Sequence, residues 1–269
     1  EELTDAYNQT RVDYLVPMPM TARRLQEYIE VYDVDLEGSV TALVDGEIGG
    51  LCMLGGRGDW GWITRLGVLP TARRRGLGRA MMEYCIEQAA LRGIKTVYLE
   101  VIEGNTPAHS LFTWLGFEET RRLLILRRPP GLPPEDASPD SKQIEWLDEE
   151  EIIERAANRP WRPAWTNHVE SLVNAGHVKG LHVIEEDGRG GWVSYQRSAL
   201  QLKRVIVAPD EGVEVAPAHA LLHHLHASFP RLDTIAENVP ADAPHLEAFF
   251  QHGYVESFAR IEMELPLIP

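Results

Sequence analysis

Cysteine is scarce in this chain of 269 residues: Cys52 and Cys85 each sit inside an apolar pattern, and neither has metal-ligand or redox spacing. A disulfide framework is thereby set aside, and buried free thiols in a reducing cytoplasm are expected. Long apolar runs are missing too. None approaches the roughly 18–20 residues that cross a bilayer, so no membrane partner is expected. Basic charge is outnumbered, with 26 Lys and Arg against 41 Asp and Glu and a formal net charge of −15. Nucleic-acid binding depends on neutralising phosphates with cations, so a broad surface for DNA or RNA is excluded. The acidic background would concentrate cationic amines near the protein, and solubility explains it equally well. The sequence starts at Glu1 and not at Met, which leaves any targeting segment unjudged.

Against this background one basic loop stands out: Val68-Leu69-Pro70-Thr71-Ala72-Arg73-Arg74-Arg75-Gly76-Leu77-Gly78-Arg79-Ala80. It joins an apolar strand to a helix expected to begin near Arg79. Gly76 and Gly78 remove side chains where the chain turns tightly, and they let backbone amides approach a ligand at the positive end of the helix. A phosphate suits such a place, each charge-assisted hydrogen bond contributing roughly 1.5–3 kcal/mol. The spacing is neither the GxGxxG of dinucleotide folds nor the GxxxxGK[ST] of P-loop enzymes.

Downstream, residues 78–93 read as an amphipathic helix with Met82, Ile86 and Ala89 on one stripe and Gly93 as its stop. A short strand follows over 96–101. In residues 105–117, Thr106 is a candidate cap and Pro107 suits a first helical turn, while Ala108, Leu111, Phe112 and Leu115 form an apolar face. Upstream, a helix over 22–31 and strands near 40–44, 48–54 and 60–69 are expected, with Asp45-Gly46 as a hairpin turn.

The loop resembles the pyrophosphate signature of the GNAT superfamily of acyl-CoA-dependent N-acyltransferases, Val-x-Pro-x-x-[Arg/Gln]-x-x-Gly-x-Gly/Ala, matched from Val68 to Gly78. The stretch from Leu99 to Phe117 resembles the second signature of that superfamily, in register. The resemblance implies a mixed α/β sheet fold and acetyl-CoA as cosubstrate, with no metal. It implies that the backbone of Leu66, Gly67 and Val68 holds the acetyl and pantetheine portions. Arg73, Arg74, Arg75, Gly76, Leu77, Gly78, Arg79 and Ala80 would hold the pyrophosphate, and Asn105 would lie near the pantetheine.

A proline-rich stretch over 129–140 divides the chain nearly in half and suits an extended linker. Laying residues 141–269 on residues 1–128 aligns Leu66-Gly67-Val68-Leu69-Pro70 with Val205-Ile206-Val207-Ala208-Pro209, and Phe112 to Phe117 with Phe249 to Tyr254. Two tandem copies of one fold are expected. In the second copy Gly76 becomes Val215, Gly78 becomes Pro217 and Arg75 becomes Glu214, with Asp210 and Glu211 adding negative charge. A carboxylate about 4 Å from a phosphate costs roughly 1 kcal/mol in water and about 4 at an effective dielectric near 20. The second copy is therefore expected not to bind CoA, and to cover the first, line an acceptor cleft or mediate a homodimer. It opens with a strand over 143–147 and an acidic helix start at Asp148; the first copy shows no counterpart of that opening strand, which either lies upstream of Glu1 or is absent.

The proton carriers are less legible. Superfamily members often place a glutamate where this chain has Thr64 and a tyrosine where it has Phe112. Glu100 occupies a strand position at which some relatives, notably those acetylating protein N-termini, carry a base; the alternative is a solvent-facing glutamate between Leu99 and Val101. His109 and Glu103 are lesser candidates. His219, His223, His224 and His226 include the i,i+4 spacing of zinc ligands but lack a third-ligand spacing, so a surface or interface helix is expected and no metal. Trp60 with Trp62, and Trp161 with Trp165, line either an acceptor pocket or a core. The reading is an N-acetyltransferase that moves an acetyl group to a small-molecule or peptide amine by direct attack in a ternary complex. The alternative is a protein that senses acyl-CoA without turning it over.

Overall fold

A computed structural model describes residues 1–134 and 141–267, so residues 135–140 of the expected linker lie outside the described residues. Two compact units emerge, one of residues 1–121 with 261–269 and one of residues 122–260.

The first unit begins with α1 (Glu2–Gln9), an element the periodicity did not announce because its composition is mostly polar; Ala6 and Tyr7 are its buried apolar residues. Thr21 then caps α2 (Ala22–Val31) by accepting from the Arg24 amide, and Leu25 and Tyr28, three apart, give the helix its buried face. Strands β1 (Val34–Val44) and β2 (Glu47–Arg57) form a hairpin about Asp45-Gly46, whose φ angles of 54° and 89° suit a primed two-residue turn. Next come β3 (Trp60–Val68), α3 (Leu77–Leu91), β4 (Thr96–Ile102) and α4 (Thr106–Trp114). Met81, Met82, Cys85 and Ala89 of α3 pack on Leu54, Leu99, Phe112 and Phe117 in the core of this unit. Asn105, not Thr106, caps α4, its carboxamide oxygen accepting from the Ala108 amide at 3.4 Å; Thr106 is the first helical residue.

The second unit contains β6 (Ser141–Leu147), α5 (Glu149–Ala157), α6 (Val169–Ala175), β7 (Val178–Glu185), β8 (Gly190–Arg197), β9 (Gln201–Pro209), α7 (Ala218–Ser228), β10 (Asp233–Pro240) and α8 (Leu246–Gln251). The helix start expected at Asp148 is that of α5, and it takes the form of a capping box between Asp148 and Glu151. The repeat is visible in the backbone: Arg65 and Arg204, which align, both take left-handed φ, at 56° and 55°, as do Gly116 and Gly253. In each unit one parallel pair separates early. β3 and β4 pair from Trp60 with Thr96 to Ile63 with Leu99, and β9 and β10 pair only at Gln201 with Asp233 and Leu202 with Thr234.

The last strand of each half crosses over. Strand β5 (Glu118–Arg128) starts in the first unit, but its residues 123–128 pair with β10 in the second. Strand β11 (Val255–Pro266) starts in the second unit, and its residues 261–266 belong to the first, where β11 lies beside β4. There Met263 joins the core, and buried Glu262 accepts from Arg121 Nε at 2.8 Å and from Thr120 Oγ1 at 2.9 Å. The packing boundaries thus fall at residues 121/122 and 260/261, inside strands, and not within the proline stretch. Residues 129–134 form no helix or strand, and buried Arg128 ties them down through the carbonyls of Gly131 and Leu132.

Candidate functional site

The early parting of β3 and β4 opens the sheet of the first unit. A β-bulge on β3 at Arg65 accompanies it, marked by the shift in register with β2 between Leu51 and Met53. Beyond the bulge the carbonyl of Leu66 accepts from Arg11 Nη1 at 3.0 Å, and the carbonyl of Val68 accepts from Arg73 Nε at 3.2 Å. A Cβ on Gly67 would lie 2.4 Å from Thr10 Oγ1, so this glycine is required for the close seat of Thr10.

A short helical turn over Pro70–Ala72 leads into the basic loop. Arg74 has φ 59° and Gly76 φ 81°, an alternation that curls the backbone and favours glycine at the second position. Helix α3 starts at Leu77, two residues before the expected start, with Gly76 as its N-cap and no side-chain cap. The Ala80 amide closes the first turn on the Gly76 carbonyl at 3.0 Å, so Ala80 has no spare donor. The amides of Leu77, Gly78 and Arg79 precede any intrahelical partner and are the donors available to an anion. Gly78 lies within the first helical turn rather than at a tight turn, and a methyl there would meet Leu111 and Val68 at an ordinary 3.7 Å.

The arginines divide by occupation. Arg73 is engaged by Asp13, which raises the pKa of Arg73 and lowers that of Asp13, the hydrogen bond being the leading cause in both. Arg79 lies 2.8 Å from Glu83 and 3.9 Å over the Trp114 ring. Arg74 and Arg75 are exposed and hold no ion-pair partner among the described residues. Asn105 reaches Tyr14 Oη with its Nδ2 at 3.4 Å.

At the apex of the opening, Glu100 is the first β4 residue beyond the paired stretch and Thr64 the first of β3. Tyr28 of α2, which sequence reasoning did not single out, hydrogen-bonds Thr64 Oγ1 at 2.6 Å and is close enough to feel the charge of Glu100. Burial pushes the Tyr28 phenol up to about 12, against the lowering effects of Arg65 and the Thr64 hydrogen bond, so it is a neutral hydroxyl at ordinary pH. The Arg65 guanidinium lies 4.0 Å from the Tyr28 ring centroid. Trp62 is buried against Tyr28 and Tyr32, at centroid distances of 6.0 and 5.8 Å, in a small aromatic core beside the apex. A periodic stripe on α2 was the signal for Tyr28; its long-range partner had none.

Other candidates lie elsewhere. His109 bonds Glu119 at 2.7 Å on the surface, Glu103 is exposed after β4, and Phe112 is buried against Phe117. In the second unit Trp165 is buried and stacks on His168, while Trp161 is half exposed. His226 is buried on Tyr254 Oη at 3.0 Å and His224 reaches Ser141 at 3.2 Å. Among the described residues no three His, Cys, Asp or Glu side chains are grouped to hold a metal ion, and no helix is long and apolar enough to cross a membrane. The second copy's loop is filled rather than open. A Cβ on Gly191 would lie 2.6 Å from Pro217 Cδ, and Asp210 bonds Arg155 at 3.0 Å and His182 at 2.7 Å.

Residues 3–117 match the family described as "Acetyltransferase (GNAT) family". A curated relative, the ribosomal protein bS18 alanine N-acetyltransferase of Escherichia coli, is 39% identical over 61 residues, 23% of this chain and 41% of that protein. A chloroplastic GCN5-related N-acetyltransferase of Arabidopsis thaliana is 35% identical over 63 residues, 23% of this chain and 22% of that protein. The chain thus spans well under half the length of these relatives. Similarity of fold extends further. A GCN5-related N-acetyltransferase from Sphaerobacter thermophilus superposes with TM-score 0.69 at 18% identity, over 100% of this chain and 92% of that one. A tandem GNAT protein from the clavulanic acid biosynthesis pathway gives 0.65 at 12% identity, over 100% and 94%.

Proposed function

We propose, from the match of residues 3–117 to the acetyltransferase (GNAT) family, that the first copy, residues 1–128, binds acetyl-CoA and transfers its acetyl group to an amine. The observation that carries this reading is the uncapped start of α3: Gly76 leaves the amides of Leu77, Gly78 and Arg79 at the mouth of the parted strands, next to exposed Arg74 and Arg75. Three aligned amides at a helix N-terminus with two cations fit a pyrophosphate. Acetyl-CoA supplies an activated thioester.

This chain's own groups would do the rest. Glu100, at the apex, accepts a proton from the incoming amine, directly or through water. Tyr28, kept protonated by burial, holds the Thr64 hydroxyl and shapes the floor of the acceptor site. Phe112 has no hydroxyl to offer the departing thiolate; Tyr14, beside Asn105, brings one to the same region. Transfer is direct: both cysteines are fully buried, out of reach of an acyl donor, and the Cys52 thiol is raised by its hydrogen bond with Cys85 and by burial. Net charge of −15 favours a cationic acceptor. The named activity of the bS18 alanine enzyme makes a peptide N-terminus one acceptor class; a small-molecule amine is the other.

The deciding experiment is release of free thiol from acetyl-CoA across a panel of amines and N-terminal peptides, with calorimetry in parallel. Amine-dependent release and one CoA per chain are expected. One CoA bound with no release for any amine would favour the sensing alternative, for which the missing carboxylate at Thr64 and hydroxyl at Phe112 speak. Two equivalent CoA sites would overturn the assignment of binding to the first copy alone.

A further inference from the structure

Far from the degenerate loop, the second unit contains a cavity of about 720 Å³ at the C-terminal end of α7. That volume is in the range of small-molecule sites, about 300–1,000 Å³. Three rings form its wall. Trp146 meets Tyr195 and Phe229 edge-on, at centroid distances of 6.5 and 6.1 Å, and Tyr195 lies 5.2 Å from Phe229. Trp146 is 53% exposed, so a large apolar face remains open to the cavity side of the cluster.

The charges at this wall run against those of the chain. Lys179, the register partner of Tyr195, and Arg197, 5.2 Å from the Phe229 centroid, both line the cavity. Among the described residues neither has a carboxylate within ion-pair distance, whereas Arg122, Arg127, Arg155 and Arg189 of the same unit each hold one. Asp148, the acid in the lining, directs its carboxylate to the start of α5, accepting from the Glu151 amide at 3.0 Å. Two uncompensated cations beside three rings, in a protein of net charge −15, form a place where an anion with a flat apolar body is favoured over water.

We propose that this cavity binds a small aromatic carboxylate, its ring against Trp146, Tyr195 and Phe229 and its carboxylate on Lys179 and Arg197. Desolvation raises the Tyr195 phenol above its ordinary range, so its hydroxyl remains protonated and able to donate. The site is independent of acetyl transfer, being built of residues that share nothing with the CoA loop.

The test uses the full chain and four probes, benzoate, indole-3-acetate and the primary amide of each, followed by calorimetry and tryptophan fluorescence. Saturable binding of at least one acid is expected, about tenfold or more tighter than its amide and weakening with salt. In Lys179→Met with Arg197→Met, affinity for the acid should fall about tenfold or more, while CoA binding stays unchanged. The acid-against-amide comparison needs no variant, so it stands even if the double variant folds poorly. No saturable binding up to about 10 mM, equal affinity for acid and amide, or full affinity in a folded double variant would each overturn the proposal.

Discussion

Asp13 holds Arg73 by both terminal guanidinium nitrogens, Nη1 donating to Oδ2 at 2.5 Å and Nη2 to Oδ1 at 2.6 Å, and so attaches the segment after α1 to the basic loop. The same segment contributes Arg11 to the Leu66 carbonyl and Tyr14 to Asn105. Three positions assigned to acetyl-CoA are therefore already contacted by residues 11–14. An anionic ligand at the loop competes with Asp13 for the same positive charge.

Asp13→Asn should tighten CoA binding by about two- to fivefold at low salt, with the gain shrinking as salt is added, since both partners are exposed and screened. Calorimetry at two ionic strengths reads this. Weaker binding in Asp13→Asn would mean that the ion pair shapes the loop and does not compete with the ligand.

The two loop glycines should behave differently. Gly76→Val with Arg75→Glu, which writes the second copy's residues into the first, forces a β-branched residue to φ 81° and reverses a charge. It should abolish CoA binding while lowering the melting temperature by only about 2–6 °C. Gly78→Ala, in the first turn of α3 with no contact closer than 3.7 Å, should retain CoA binding and gain up to about 1 kcal/mol in stability. Near-native affinity in the double variant would remove the loop as the phosphate site.

Much of this loop was legible because its signals are local. Gly76 there, like Asp45-Gly46 and the helix start at Asp148 elsewhere, states a backbone requirement within a few residues. Tyr28 on Thr64 was not legible, since 36 residues separate them and nothing in either neighbourhood names the other. Helix α1 was missed because its apolar stripe, Leu3, Ala6 and Tyr7, lasts little more than one turn. The alignment of the halves found the repeat, yet assigned β5 and β11 by chain order, which carries no information on where a strand pairs.

If Glu100 takes the proton, Glu100→Gln should lower turnover by roughly 10²–10⁴-fold and leave the affinity for acetyl-CoA nearly unchanged. Tyr28→Phe should keep the pH profile of the wild type, because a phenol raised to about 12 does not titrate in the working range. A fully active Glu100→Gln protein, with a rate that tracks the acceptor's own amine pKa, would assign deprotonation to solvent and acceleration to positioning.

Three histidines of the second unit make stability depend on acid. Burial lowers His245 and His252 to about 4 and His226 to about 2; for His252 the charges of His219, His223 and Arg128 add to it, and for His226 those of Arg128 and His252. The folded chain keeps these rings neutral while the unfolded chain protonates them near 6.5. Their contribution is thus complete above about 6.5 and is lost as pH falls toward 4 for two of them and toward 2 for the third. Melting temperature should decline from pH 7 to pH 5, and ring proton shifts of these histidines should not titrate above pH 5. A midpoint near 6.5 for any of them would contradict its burial.

The crossing of β5 and β11 also sets an order of events during synthesis. Residues 1–121 emerge from the ribosome without the partner for Arg121, since Glu262 and the rest of 261–266 have yet to be made. Until then one flank of β4 is open, and the core of the first unit lacks Met263. The proposed acetyl-CoA site in the first unit would therefore mature only once residues 261–266 are made, and a ribosome stalled before Ile261 would hold a nascent chain whose first unit is unfinished.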